Sequence, residues 1–221
     1  LSRLRHGFDV LDTVDELFPP LSEEAEALKL GVEDINRETR DRLEEAATEA
    51  ELAAFDALSP LSAYLVSYWA ESQNQEPIIC LREAINHTAA WATRLTNYQH
   101  AMLYTIRRRK RGTSKYYAGW NTFTKLADGN IRYLLQLVHE ALQLQLLDHQ
   151  DLSVPLTAEL QTRAATIIGG RVVEQLQGLA ANGGALTRLV LALGRIFGVM
   201  ASQPHGHTPE VSQFSVKGHI D

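Results

Sequence analysis

The sequence predicts a mainly α-helical protein with one short β element near its end. Apolar residues recur at roughly helical intervals from Leu61 to Trp69, from Ile78 to Ile106 and from Ile131 to Leu147. The alternation of apolar and polar residues that is typical of a strand is confined to residues 211–216. Prolines and glycine pairs separate these stretches, so we expect a series of helices joined by short connectors.

The first 60 residues predict acidic amphipathic helices. Between Leu21 and Leu58 there are twelve acidic and four basic residues. Pro19-Pro20 ends whatever precedes it, and Ser22 can cap the helix that follows. A second break falls at residues 56–60. We interpret the acidic face as a solvated surface or a partner contact rather than a site of chemistry.

Two further apolar segments complete a helical region over residues 1–106. The polar stretch Ser72–Pro77 ends in proline, so it predicts a loop between them. Cys80 is the single cysteine, which excludes an internal disulfide and a cysteine-based zinc cluster within the chain. We expect Cys80 to pack in the core.

A basic run follows these helices. Between Arg94 and Lys115 there are seven positive residues and no negative ones. Clustered cations bind nucleic acids by releasing counterions from phosphates, and such binding weakens with added salt. A solvated loop between helices explains the same run without a ligand. The candidate nucleic-acid contacts are Arg107, Arg108, Arg109, Lys110, Arg111 and Lys115, with Tyr116, Tyr117 and Trp120 close enough to stack on bases.

A short helix, a tight turn and a second helix are predicted around Gly129. Gly129 permits the turn, Asn130 can cap the second helix, and Arg132 lies in the first turn of that helix. An arginine beside free backbone N–H groups is well placed to contact a phosphate. A surface charge, or a partner for Asp128, is the alternative interpretation of Arg132.

The remaining chain predicts a long helix over 131–147, a connector over 148–155 and a helix over 157–168. A break at Gly169-Gly170, a helix over 172–180, a turn at 182–184 and a strongly apolar helix to Met200 follow. With the strand at 211–216, this is the element order of a winged helix-turn-helix. The last helix offers few side chains that hydrogen-bond base edges, so we expect it to bind protein rather than DNA.

The composition is that of a soluble globular protein of 221 residues. We find no apolar run that approaches the length of a membrane span and no basic-then-apolar leader, so we expect a cytoplasmic protein without a membrane contact. The start at Leu1 suggests a piece of a longer protein. No histidine is accompanied by a nucleophile or by metal-binding partners at a suitable spacing, so we predict no catalytic residue and no metal site.

The string Tyr-Tyr-Ala-Gly-Trp at 116–120, followed by Leu-Ala-Asp-Gly-Asn-Ile-Arg-Tyr-Leu-Leu at 126–135, resembles the lid-domain signature of origin-recognition-complex-like AAA+ ATPases, including bacterial members related to the STAND class. In that family a winged-helix domain follows the lid. The resemblance covers roughly residues 107–214. It implies that Arg132 is the sensor arginine presented to the γ-phosphate of ATP, with Gly129 and Asn130 shaping its turn.

The chain departs from the family pattern in one respect that limits its chemistry. It contains no Gly-x-x-x-x-Gly-Lys-[Ser/Thr] loop and no apolar strand ending in Asp-Glu. The resemblance therefore implies that ATP and Mg²⁺ are held mainly by residues outside this chain, which cannot hydrolyse ATP unaided.

The predicted organisation is a helical region over 1–106, a lid-like segment over 107–150 and a winged-helix-like domain over 151–221. The predicted function is that of the C-terminal regulatory portion of an AAA+/STAND-like ATPase, in bacterial antiphage defence or in replication. Its predicted partners are a second copy of itself or another protein, with nucleic acid as a further candidate. The alternative is an all-helical protein-interaction module that has no link to nucleotides.

Overall fold

The computed structural model describes residues 13–108, 110–149, 152–179, 181–201 and 203. In that part of the chain every regular element is an α-helix. The helices are α1 (Val14–Leu17), α2 (Glu23–Leu30), α3 (Val32–Glu44), α4 (Glu49–Asp56), α5 (Pro60–Gln73), α6 (Pro77–Asn86), α7 (Thr88–Ile106), α8 (Trp120–Ala127), α9 (Ile131–His149), α10 (Ala158–Gln177) and α11 (Gly183–Ala201).

The predicted fold class is wrong in one part. The helical character is confirmed, but the described residues contain no strand and no β element of a winged-helix domain. After α9 the chain forms two long helices, which satisfy their backbone groups internally and leave no strand with which a wing could pair. Residues 211–216, where the strand was predicted, lie outside the described residues.

The predicted break at Gly169-Gly170 is also wrong, because α10 runs through both glycines. A glycine inside a helix costs roughly 1 kcal/mol relative to alanine. The inner face of α10 buries Leu160, Ala164 and Ile168. Burying one leucine or isoleucine side chain contributes about 1.5–3 kcal/mol, so the packed face outweighs the two glycines.

Most other boundaries follow the prediction. Helix α4 ends at Asp56, and Pro60 occupies the first turn of α5, where its missing N–H costs nothing. The Ser59 hydroxyl caps α5 by accepting a hydrogen bond of 3.3 Å from the Ser62 N–H. The predicted loop before Pro77 is confirmed but short, since α5 continues to Gln73.

The chain forms two compact units, one of which includes residues 13–22 and 116–191. Its core joins the segment after α1 to helices α8, α9 and α10. The Phe18 ring lies 5.2 Å from the Phe123 ring and 5.9 Å from the Trp120 ring, measured between centroids. The buried apolar residues of this core are Phe18, Phe123, Ala127, Leu137, Ala141, Leu144, Leu156, Leu160, Ala164 and Ile168.

The other unit includes residues 23–115, which carry helices α2 to α7. Its largest fully buried apolar side chains are Leu43, Leu61, Leu65, Leu81, Met102, Leu103 and Val32. Cys80 is fully buried among these helices, which confirms its predicted packing role. Burial raises the pKa of the Cys80 thiol to about 11, so it stays protonated and unreactive at neutral pH.

Candidate functional site

The turn between α8 and α9 has the sharp geometry that the sequence predicts. Two consecutive residues, Asp128 with φ 46° and Gly129 with φ 75°, adopt left-handed backbone conformations. The chain then closes through a hydrogen bond of 2.8 Å from the Asn130 N–H to the Ala127 carbonyl. A Cβ atom on Gly129 would meet nothing within 4 Å, so the requirement for glycine here comes from φ alone.

Asn130 caps α9, which confirms the second part of the predicted turn. Its side-chain oxygen accepts a hydrogen bond of 3.0 Å from the Arg132 N–H, and its carbonyl accepts one of 3.1 Å from the Leu134 N–H. Arg132 therefore lies in the first turn of a 19-residue helix. The dipole of such a helix favours an anion at this end.

The Arg132 side chain is exposed. Within the described residues its guanidinium forms no hydrogen bond or ion pair, so the alternative that it pairs with Asp128 does not hold. A guanidinium has five N–H donors that match phosphate geometry. The turn therefore presents one positive charge and a helix N-terminus at the same place.

The aromatic-glycine segment that precedes α8 is fixed by Gln161, a residue that the sequence analysis missed. Gln161 is fully buried, and its side-chain oxygen accepts a hydrogen bond of 2.7 Å from the Gly119 N–H. Its amide group donates to the carbonyls of Leu156 at 3.0 Å and Pro19 at 3.2 Å. One amide thus ties together the entry to α8, the start of α10 and the segment after α1.

Gly119 itself admits no other residue without rearrangement. Its φ is 99°, and a Cβ atom there would lie 2.9 Å from the Cα atom of Pro20. The neighbouring Tyr117 N–H donates to the Thr162 hydroxyl at 2.9 Å. Because the start of α8 is held on α10, the turn at the other end of α8 keeps a fixed position within this unit.

The arrangement of α9 on α10 is held by a partly buried ion pair as well as by the apolar core. Arg171 of α10 donates a hydrogen bond to the carboxylate of Glu140, which is buried on α9. Removing one partner of such a pair leaves an uncompensated charge, so this contact fixes the register of the two helices.

The residues at the turn fit a phosphate group but not a metal ion. Arg132 and the N-terminus of α9 supply positive charge and N–H donors. Within the described residues, no three His, Cys, Asp or Glu side chains come together where they could hold a metal ion. The turn therefore combines groups that suit a phosphate, and the described residues around it form no cluster that suits a metal ion.

The described residues of the basic run do not form a continuous cationic surface. Arg107 donates a hydrogen bond of 2.5 Å to the Arg111 carbonyl and so closes its own loop. Arg108 pairs with the Glu71 carboxylate at 2.9 Å, and Lys115 pairs with the buried Glu26. Lys110 is exposed.

Three cations of this run are thus committed to contacts within the chain, while Lys110 and Arg111 remain exposed. Arg109 lies outside the described residues. Tyr116, Tyr117 and Trp120 are half-buried. Nucleic-acid binding by this run stays a prediction, carried in the described part by fewer free charges than the sequence suggests.

Helix α11 differs from what the sequence analysis expected. Of the helices in the described residues, α11 is the one that is long and apolar enough to cross a membrane. It has 19 residues, and its mean hydropathy reaches 1.5. The statement that no apolar run approaches this length is therefore wrong. Only Gly183 and Thr187 of this helix are buried.

Two arginines argue against insertion of α11 across a bilayer. Arg188 and Arg195 lie within the helix, and an arginine at the centre of a spanning helix costs about 2.5–3.5 kcal/mol. Each leucine, isoleucine, valine or phenylalanine contributes about 0.3–0.6 kcal/mol in the opposite direction. The eight such residues of α11 contribute about 2–5 kcal/mol, and the cost of the two arginines stays below about 5–7 kcal/mol because they lie four and three residues from the middle of the helix.

Comparison with known protein families identifies a match over the whole chain. The model of the ORC-CDC6-like family matches residues 1–221, which is the whole chain. No curated protein and no solved structure matches it.

Proposed function

The chain belongs to the ORC-CDC6-like family, and on that basis we propose that it is the C-terminal regulatory part of an AAA+ ATPase in which Arg132 senses the γ-phosphate of bound ATP. The family relates the chain to AAA+ ATPases, which bind ATP with Mg²⁺. The phosphate-binding loop and the ligands of Mg²⁺ come from residues outside this chain. We expect such an ATPase in bacterial antiphage defence, with STAND-like control, or in replication.

The observation that carries this proposal is the uncompensated charge of Arg132 at a capped helix N-terminus. Among the described residues, most arginines form an ion pair with a carboxylate, as Arg40 does with Asp56 at 2.9 Å. The Arg132 guanidinium has no such partner within the described residues. The Asn130 side chain is hydrogen-bonded to the backbone N–H of Arg132 and not to its guanidinium. The positive charge of Arg132 therefore stays available to a ligand.

Other residues in and around the turn hold Arg132 in position. Gly119 and Gln161 hold the start of α8, and the left-handed pair Asp128-Gly129 sets the direction in which α9 leaves. When ATP is bound by the core, Arg132 binds and orients its terminal phosphate. Because α8, α9 and α10 share one core, a shift of Arg132 toward the phosphate moves these helices together.

The test is Arg132→Ala in the protein that contains this chain together with its ATP-binding core. Loss of a phosphate-contacting arginine lowers the rate of phosphoryl transfer, so we expect turnover to fall by at least about tenfold. Arg132→Lys keeps the charge but loses the bidentate geometry, and we expect a partial defect. Steady-state ATP hydrolysis and ATP-dependent assembly are the measurements.

Arg163→Ala is the matched control. Arg163 is an exposed arginine of α10 in the same unit, and it forms an ion pair of 3.7 Å with Asp148. We expect wild-type turnover from this variant. Wild-type hydrolysis and assembly in Arg132→Ala would refute the sensor role.

A second candidate is an interaction module without a nucleotide. The exposed apolar residues of α11 favour it, since a face of that kind marks a protein contact. In that case the full-length protein binds no ATP, and Arg132→Ala leaves every assembly unchanged. Equilibrium binding of a fluorescent ATP analogue to the full-length protein separates the two candidates.

A further inference from the structure

Five apolar residues of α11 follow a heptad pattern, and Val190, Leu191 and Val199 are exposed outside it. Leu186, Leu189, Leu193, Ile196 and Met200 are separated by three, four, three and four residues. This spacing places them along one stripe of the helix, as the a and d positions of a coiled coil do. Leu186, Leu189 and Ile196 are exposed, and Leu193 and Met200 are half-buried.

The stripe does not face the rest of the unit that carries the first half of α11. The buried residues Gly183 and Thr187 lie on a different side of the helix, about a third of a turn away. A Cβ atom on Gly183 would lie 2.6 Å from the Gln177 carbonyl oxygen, which shows how closely that side approaches the end of α10. The stripe and the packed side are therefore separate surfaces.

The charges of α11 are compatible with a second copy of the same helix. Arg188 and Arg195 are seven residues apart, so they share one side of the helix, and both occupy the c position of the heptad. That position points away from the seam. Two identical helices joined along the stripe would keep their arginines in water and apart from each other.

The available area also suits a dimer. A helix of 19 residues is about 28 Å long and about 10 Å wide, so half of its surface is roughly 500 Å². Two copies would bury about 1,000 Å², which is at the lower limit of specific interfaces. This size is typical of a weak, reversible contact.

From the register, the position of the arginines and the area, we propose that α11 binds a second copy of this chain along the stripe Leu186, Leu189, Leu193, Ile196 and Met200. The occupant is the same helix of the partner subunit. This dimer is independent of nucleotide and of the sensor role of Arg132. It gives the regulatory part an oligomeric contact of its own.

The test compares two leucines of the same helix in the full chain. Leu189 belongs to the stripe and is 55% exposed, whereas Leu191 occupies the f position on the opposite side and is 56% exposed. Leu189→Glu and Leu191→Glu therefore remove the same side chain from equally accessible places. Neither change removes a buried group, so both variants are expected to fold, which circular dichroism verifies.

We expect the wild-type chain to show a monomer–dimer equilibrium in sedimentation velocity between about 1 and 100 μM. Leu189→Glu should raise the dissociation constant at least about tenfold, and Leu191→Glu should leave it within about twofold. A wild-type chain that is monomeric over this range refutes the proposal. So does an oligomer that both variants weaken equally or that neither weakens.

A lipid surface is the competing occupant, and a flotation assay with vesicles of phosphatidylcholine and phosphatidylglycerol addresses it. A wild-type chain that stays monomeric and floats with the vesicles assigns the stripe to a membrane surface and overturns the dimer. Absence of flotation together with concentration-dependent dimerisation supports it.

Discussion

Gly119 is the residue at which backbone conformation and packing both require glycine. Its φ of 99° is strained for any residue with a side chain, and the Pro20 backbone blocks the space that a Cβ would occupy. Gly129 has a similar φ of 75° but open space around it. Adding a methyl group at Gly129 therefore costs backbone strain alone, whereas adding one at Gly119 costs both backbone strain and a steric clash.

We predict that Gly119→Ala destabilises the fold more than Gly129→Ala does. Backbone strain costs about 1–2 kcal/mol at either site. The clash with Pro20 adds about 1–3 kcal/mol at Gly119 alone, because rigid backbone has to move. Urea unfolding followed by circular dichroism measures both.

Equal losses at the two sites would contradict the close approach of Pro20 to Gly119. The sequence predicts the need for glycine at 129, since it falls in a turn ahead of a capped helix. It does not predict the stronger need at 119, because Pro20 is distant in the chain and only the fold brings it near.

At the scale of elements, α10 shows that packing overrides local propensity. Gly169 and Gly170 suggest a break, yet the helix continues because its inner face is buried on α9. Both glycines are exposed, and a Cβ on either would meet nothing within 4 Å. They serve no contact within the described residues and only lower the stability of the helix.

We therefore predict that Gly169→Ala and Gly170→Ala each stabilise the protein by about 0.5–1 kcal/mol, because alanine loses less backbone entropy in a helix. Thermal unfolding of the two single variants and of the double variant checks this. Gly183→Ala is the contrasting control and should destabilise, since its Cβ would collide with the Gln177 carbonyl. Loss of stability at 169 or 170 would show that these positions have a partner outside this chain.

At the scale of the whole molecule, the acidic residues of the unit that includes residues 23–115 do more than keep the surface solvated. Glu51 joins α4 to α6 through a hydrogen bond of 2.7 Å from Arg82, and it also caps α4 by accepting the Thr48 N–H at 2.8 Å. The Arg82 guanidinium and the Thr48 backbone together lower the pKa of the Glu51 carboxyl from 4.5 to about 2. Folding therefore favours the ionised form of Glu51.

A carboxyl group whose pKa is lowered by folding stabilises the protein at any pH above its pKa in the unfolded state. This stabilisation is lost as the pH falls toward the pKa of the group in the folded state. We predict that Glu51→Gln is less stable than wild type at pH 7 and that the difference shrinks between pH 4.5 and about 2. Urea midpoints at pH 7, 4 and 3 measure this. Glu38→Gln, at an exposed position of α3, is the control for the loss of one surface carboxylate. A difference that stays constant with pH would exclude the ion pair as its cause.

The sequence by itself determined the helical class, most helix boundaries and the capped turn that presents Arg132. These features depend on apolar spacing and on hydrogen bonds between residues a few positions apart, such as the Asn130 cap. The cap required no knowledge of the rest of the chain. The sequence also showed that this chain contains no phosphate-binding loop of the Gly-x-x-x-x-Gly-Lys-[Ser/Thr] type.

Only the tertiary structure decided which residues hold that turn in place and which charges remain free. Gln161 binds Pro19 across 142 positions and Gly119 across 42, and Lys115 is neutralised by Glu26 from 89 positions away. Contacts at such separations leave no periodic signal in a single sequence. For the same reason, the sequence reveals the apolar positions of α11, and the fold alone shows which of them are exposed.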